Sequence, residues 1–160
     1  MNWNRRLLKG SFLLLVAVLF ENAYLQADYK LAVAYYNQGN FQKSIDELKP
    51  DLDANPNWEF GHRLTGLCHL ALKHNSLAIQ FLSRAVELKS TTVSTYLGLG
   101  QAYFQLDQFG KCIEVLNRGE SLAKDAEKAK LYRLRGFAYS RSHKYPEAVS
   151  DLQAALQSRN

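Results

Sequence analysis

Small and apolar residues recur along this chain at a nearly fixed interval. Ala32, Gly66, Gly100 and Gly136 lie 34, 34 and 36 residues apart. Three residues after each stand Tyr35, His69, Tyr103 and Tyr139. Twelve after each stand Ser44, Ala78, Cys112 and Ala148, followed at once by Ile45, Ile79, Ile113 and Val149. Sixteen after each stand Leu48, Leu82, Leu116 and Leu152. A sixth column, Phe41, Asn75, Phe109 and Tyr145, separates the two halves of each period. Residues three and four apart share one face of a helix. Each period therefore predicts two helices, with turns near Gly39, His74, Gln108 and Lys144. The Asn37-Gln38-Gly39-Asn40 stretch suits a turn, because Gly tolerates the left-handed conformation that ends helices. Pro146 suits the first turn of the last helix, where its missing donor is harmless. The small columns let two helix backbones approach closely. One helix pair cannot bury both its faces, so neighbouring pairs must stack into a continuous core.

The departures from this pattern are informative. Pro50 and Asp51 fall late in the second helix, which is expected to kink or end early there. The column holding Leu31 and Leu99 holds Thr65 in the second period and Arg135 in the fourth. The two extra residues before the fourth period fall near Lys124-Asp125-Ala126-Glu127-Lys128, a stretch of good helix formers, and are expected to lengthen a helix.

These columns resemble the tetratricopeptide repeat, whose 34-residue period carries the pattern W-x2-L-G-x2-Y…A-x3-F…P. The third period shows the likeness best, with Tyr96, Leu99, Gly100, Tyr103, Cys112 and Leu116, and the first closes on Asn55-Pro56 where the family places its Pro. The resemblance runs from about Leu25 to the end of the chain. It implies an all-α, right-handed superhelical solenoid of four helix–turn–helix repeats, approximately 25–58, 59–92, 93–128 and 129–160. It also implies a concave groove lined by the first helix of each repeat. Carried onto this sequence, the groove positions are Tyr29, Val33, Tyr36 and Asn37, then Arg63 and Leu67, then Leu97, Gln101 and Phe104, then Arg133, Phe137 and Arg141. Leu67 and Leu97 also suit a core between repeats. With Lys130 added, the set is aromatic, aliphatic and basic, and contains no acid. Such a surface suits a protein or peptide partner offering an acidic side chain or a C-terminal carboxylate. Chaperone-binding members of the family clamp such a carboxylate with Lys and Asn in the first repeat. Tyr29 and Val33 stand there instead, so that activity is not expected.

The first 27 residues read differently. Residues 1–11 are polar and carry Arg5, Arg6 and Lys9, residues 12–20 are the apolar run FLLLVAVLF, and a short polar stretch leads to Ala27. A basic start, a short apolar run and a small residue at a polar boundary describe a secretory signal peptide. Cleavage after Ala27 would leave residues 28–160 as the repeat domain. The apolar run is about half of the ~20 residues needed to span a bilayer, so an uncleaved anchor is the alternative. The expectation is an exported protein, periplasmic if bacterial, touching membrane only through this segment. One tension is that the first repeat helix starts near Leu25, ahead of the cleavage point.

Composition narrows the chemistry. The net charge of +5 includes the basic residues of the first ten positions, and no dense Lys/Arg run follows, so nucleic acid is not expected as a partner. Cys112 sits in a small column and Cys68 shares one with Ala34, Ala102 and Ala138, so packing accounts for both. His69 takes the place of a column Tyr and is expected to be buried and hydrogen-bonded. His62 and His69 are seven residues, or two turns, apart, too far to share a metal. His74 and His143 complete no three- or four-ligand zinc set. No phosphate-cradling Gly-rich loop and no G-x-S-x-G nucleophile turn occurs, and Asp46, Glu47, Asp51 and Asp53 read as a solvated helix surface. No enzyme, cofactor or metal is expected. The expected function is an adaptor or scaffold binding a peptide or protein. The alternatives are a self-associating assembly protein, or the N-terminal part of a larger multi-repeat protein. The self-associating reading draws on the last helix, where Leu152, Ala155 and Leu156 are expected to face water although terminal repeats need a polar outer face.

Overall fold

Each helix pair is closed by the same backbone turn. Gly39, Lys73, Asp107 and His143 hold positive φ angles of 77°, 63°, 56° and 60°. In every case this residue donates its N–H three residues back, and the next residue donates five back. Lys73 thus reaches the Leu70 carbonyl at 3.0 Å and His74 reaches His69 at 2.9 Å, while Gly39 reaches Tyr36 at 3.0 Å and Asn40 reaches Tyr35 at 2.9 Å. These bonds satisfy carbonyls that the end of a helix would leave open. Only the first left-handed position is Gly. At the other three a side chain is held where Cβ crowding costs about 1–2 kcal/mol.

The computed structural model describes residues 29–158. All regular structure there is helical: α1 (29–37), α2 (Phe41–Ala54), α3 (Glu59–Ala71), α4 (Asn75–Glu87), α5 (Val93–Gln105), α6 (Phe109–Glu120), α7 (Asp125–Arg141) and α8 (Tyr145–Gln157). The helices fall into two compact units, one ending at Ala54 and the other beginning at Asn55.

In the first unit α1 buries Ala32, and α2 buries Ser44, Leu48 and Asp51, a stripe spaced four and three residues apart. The Tyr36 and Phe41 rings meet edge-on across the turn, with centroids 5.6 Å apart. The early end expected at Pro50 does not occur, since α2 runs to Ala54. Pro50 and Asp46 are both exposed, so water can serve the Asp46 carbonyl that Pro50 cannot bond.

In the second unit α5 packs on both α3 and α4, and α7 packs on both α5 and α6. The first helix of each pair therefore lies in the angle left open by the pair before it. The small column sets the crossings within pairs. A Cβ on Gly66, Gly100 or Gly136 would stand 2.6 Å from Leu82, 2.8 Å from Leu116 or 2.9 Å from Leu152. Two apolar clusters join the pairs. One unites Leu82 and Val86 with Tyr96 and Leu99, and the other unites Val93 and Leu116 with Leu131 and Ala138. Burying a Leu side chain fully contributes about 1.5–3 kcal/mol, so these contacts dominate the stability of the stack. The extra residues before the fourth period do lengthen a helix, and α7 has 17 residues where α5 has 13.

One expectation about location is corrected. Among the described residues no helix is long and apolar enough to cross a membrane. The anchored alternative therefore finds no spanning helix, which agrees with an apolar run half the length a bilayer needs. The leader on which export rested, residues 1–27, lies outside the described residues.

Candidate functional site

The departure at Arg135 is the most polar part of the interior. Its guanidinium grips Asp151 of α8 by two bonds, Nε to Oδ2 at 2.7 Å and Nη2 to Oδ1 at 2.8 Å. Nη1 turns the other way, to Asn117 Oδ1 at 2.7 Å and to Glu120 of α6. The Tyr132 hydroxyl donates to the second Glu120 oxygen at 2.8 Å, and its ring lies 5.2 Å from the Arg135 guanidinium carbon. Burial alone would push the Glu120 carboxyl up. The hydrogen bonds from Arg135 and Tyr132 and the nearby positive charge outweigh it and hold Glu120 below the usual carboxylate range. The bonds to Asp151 raise Arg135, against the opposite pull of burial, so it stays charged. The network bolts α6, α7 and α8 together. It is fully partnered and offers no open position for a reacting group.

The expected groove residues separate into three groups. In the first unit Tyr29, Val33 and Tyr36 are half-buried and Asn37 is exposed. In the second unit Leu67 and Leu97 are half-buried against the apolar clusters, so both serve as core between repeats. Two of the cations already have partners. Arg63 pairs with Glu59 at 3.2 Å and lies 4.8 Å from the Phe60 ring centre. Arg141 reaches Asp107 at 3.4 Å and lies 5.0 Å from the Phe109 ring centre. Phe104 is half-buried and meets Phe109 edge-on, while Gln101 is exposed. Arg133 and Phe137 are exposed, and Arg133 has no ion pair among the described residues.

Arg133 and Phe137 belong to a groove of about 440 Å³ between α7 and α8. Ala129 and Lys130 line it from α7, and Leu152, Ala155 and Leu156 line it from α8. Arg141 is not among its lining residues. Of the three apolar residues expected to face water on α8, Leu156 does, Leu152 is half-buried and Ala155 is buried.

The remaining candidates have structural places. Cys68 and Cys112 are both buried, and burial pushes the Cys112 thiol up to about 12. His69 is buried and stacks on Phe81 with centroids 5.4 Å apart, and Phe81 also lies 5.9 Å from the His62 ring. The hydrogen bond expected of His69 is missing at Nδ1, which has no partner among the described residues. Burial, followed by the charge of His74, lowers its pKa below the ordinary 6.5. No three His, Cys, Asp or Glu side chains converge as a metal site among the described residues.

The fold and its surface define a helical-repeat protein. Tetratricopeptide repeat models match residues 93–126 and residues 26–49, the latter beginning ahead of Ala27. No curated protein matches the chain. Solved structures do. A crystal structure of MamA is 23% identical with a TM-score of 0.77, covering 84% of this chain and 77% of that one. MamA 41-end from Desulfovibrio magneticus RS-1 is 22% identical with a TM-score of 0.75, covering 84% and 75%. A further MamA structure, from MSR-1, is 19% identical with a TM-score of 0.72, covering 82% and 75%. At these identities the likeness is one of fold.

Proposed function

We propose that the chain is a scaffold that binds a peptide or protein segment along the first helices of its second unit and performs no chemistry itself. The observation that supports this most is the exposure of Phe137 beside Arg133 and Lys130, with no acid among the residues that line their groove. Aromatic and Arg residues are the types that most often carry binding energy at protein interfaces. Gln101, on α5, is exposed as well. A partner with an acidic side chain or a C-terminal carboxylate would meet a free cation at Arg133. The test uses the full chain as bait, identifies captured proteins by mass spectrometry, and measures affinity for the recovered partner. Replacing Arg133 and Arg141 together by Ala should weaken that affinity and flatten its salt dependence while the melting temperature barely moves. Unchanged affinity would overturn the reading.

A further inference from the structure

We infer that a cavity at the start of α4 receives the side chain of a tyrosine that stands beside acidic residues in a different protein. The site lies away from the α7 surface described above and goes beyond that reading. The cavity, of about 370 Å³, opens where the turn into α4 meets the residue after α5, and Lys73, His74, Asn75, Ser76, Leu77 and Leu106 line it. Its lining departs from the repeat in two ways. Asn75 stands where the other pairs have Phe41, Phe109 and Tyr145. Phe41 and Phe109 meet Tyr36 and Phe104 edge-on across their own turns, and Asn75 brings no ring. Leu77 stands where the others have Lys43, Lys111 and Glu147, and Leu106 stands where the first pair has Gln38 and the last has Ser142. Leu77 is 42% exposed and Leu106 is 39% exposed, whereas Leu72, in the place of Leu106 one pair earlier, is half-buried. This pair thus lacks the ring that its fellows supply, and it borders an apolar cavity where they carry polar side chains. Both α6 and α7 follow Leu106, so the opening lies within the stack and not at its last pair.

Chemistry selects the occupant. An apolar cavity with a few polar groups suits one amphipathic side chain, and the two Leu side chains offer walls for a ring. Asn75 Oδ1 is buried and has no hydrogen-bond partner among the described residues, so turning the amide toward a ligand breaks no bond there. A phenol hydroxyl supplies the donor that this oxygen lacks. Lys73 is exposed and has no ion pair among the described residues, and no acid lines the cavity. Glu or Asp beside the tyrosine would meet that cation. A second copy of this chain does not offer such a group. Its exposed aromatic side chains among the described residues are Phe137 and Tyr145. Phe137 has no donor, and the Tyr145 hydroxyl already lies 2.9 Å from His143 Nδ1.

The test uses the full chain and three short fluorescein-labelled peptides. One has a central Tyr flanked by Glu, the second has Phe for that Tyr, and the third has Lys for the Glu. Fluorescence anisotropy should show saturable binding of the Tyr–Glu peptide, weakening as salt rises. The Phe peptide should bind about two- to tenfold more weakly, the worth of one hydrogen bond, and the Lys peptide more weakly still. Leu77→Glu and Leu106→Ser install residues that the last pair already carries, so the fold should be kept, and circular dichroism checks this. Each should weaken the Tyr–Glu peptide by about tenfold or more. Lys73→Glu should reverse the preference between the Glu and Lys peptides. Gln80→Ala, exposed on α4 outside the cavity, should change nothing. The inference is overturned by equal binding of the Glu and Lys peptides, by no saturable binding, or by binding that Leu77→Glu and Leu106→Ser leave intact. A concentration-dependent dimer in sedimentation velocity that the Tyr–Glu peptide dissolves also overturns it, since a second copy would then be the occupant. If the peptides fail while the captured partner still depends on Arg133 and Arg141, this inference falls and the scaffold reading stands.

Discussion

Leu99 and Arg135 occupy the same place in successive helix pairs, and the two pairs cohere by opposite means. Around Leu99 the α5/α6 pair coheres through apolar contact, with Val115 of α6 inside the pair and with Leu82 and Val86 of α4 before it. Around Arg135 the α7/α8 pair is joined through a two-bond grip on Asp151 and further bonds to Glu120 and Asn117. Apolar contact tolerates small misfits, because each lost atom forfeits little. A buried ion pair is unforgiving, because losing one partner strands a charge. The same backbone arrangement therefore carries a graded contact in one pair and an all-or-none contact in the next.

The sharpest way to break this comparison is to remove one charge. Arg135→Ala should destabilise the second unit by about 3–5 kcal/mol, because Asp151 is left buried and unpaired. Arg135→Leu with Asp151→Val, which installs the residues found at Leu99 and Val115, should be far milder than either single change. Denaturant titration of the three variants reads the coupling directly. If the double change costs as much as the sum of the singles, the two residues are not acting as a pair.

A smaller effect is expected at the glycine crossings. Gly100→Leu should overpack against Leu116 and cost on the order of 1–3 kcal/mol or more, lowering the melting temperature of the whole second unit. Gly136→Leu faces Leu152, which is only half-buried, beside the Ala148 carbonyl at 3.3 Å, and should cost less. Equal losses would show that the last pair is as tightly packed as the one before.

Acid separates the regions by pH. The lowered pKa of His69 means that the unfolded chain binds a proton more readily than the folded one below 6.5. Stability in α3 and α4 is therefore present above that value and declines as pH falls below it. Glu120 also has a lowered pKa, so its contribution is present above the ordinary 4.5 and is lost only as pH falls through its lower folded value. Hydrogen exchange should show loosening of α3 and α4 in mild acid, and of the α6–α8 network only in stronger acid. His69→Tyr, the residue found at Tyr103 and Tyr139, should abolish the first change and leave the second. The smallest effect is at a turn. Lys73→Gly relieves a left-handed side chain but frees the unfolded chain, for a net gain below about 1 kcal/mol.

The repeat columns were legible because each is one side of a helix crossing, so small residues and Leu had to recur in register. The pairing of Arg135 with Asp151 was half legible. Arg135 was visible as a misfit in a Leu column, and Asp151, standing where the pair before has Val115, is a second misfit on the facing helix. Reading the two misfits together would have found the bond. The turns at Lys73, Asp107 and His143 were placed by periodicity but not by residue type, because backbone hydrogen bonds hold them left-handed without Gly. Counting positions selected Arg63 and Arg141 as groove cations, yet a count of positions on one helix face ignores neighbours. Glu59 lies one turn before Arg63, and Asp107 lies in the turn after α5.

The buried cysteines have one more consequence. A thiol held near 12 exists as thiolate in only about one part in ten thousand at pH 8, and the thiolate is the reactive form. Cys112 on α6 is thus shielded twice, by exclusion of reagent and by suppressed ionisation, and Cys68 on α3 has no exposed surface either. Alkylation of either sulfur must wait for its helix to lift away from its neighbours. The two side chains amount to a pair of clocks set into different repeats, and the ratio of their labelling rates tells which end of the second unit opens first.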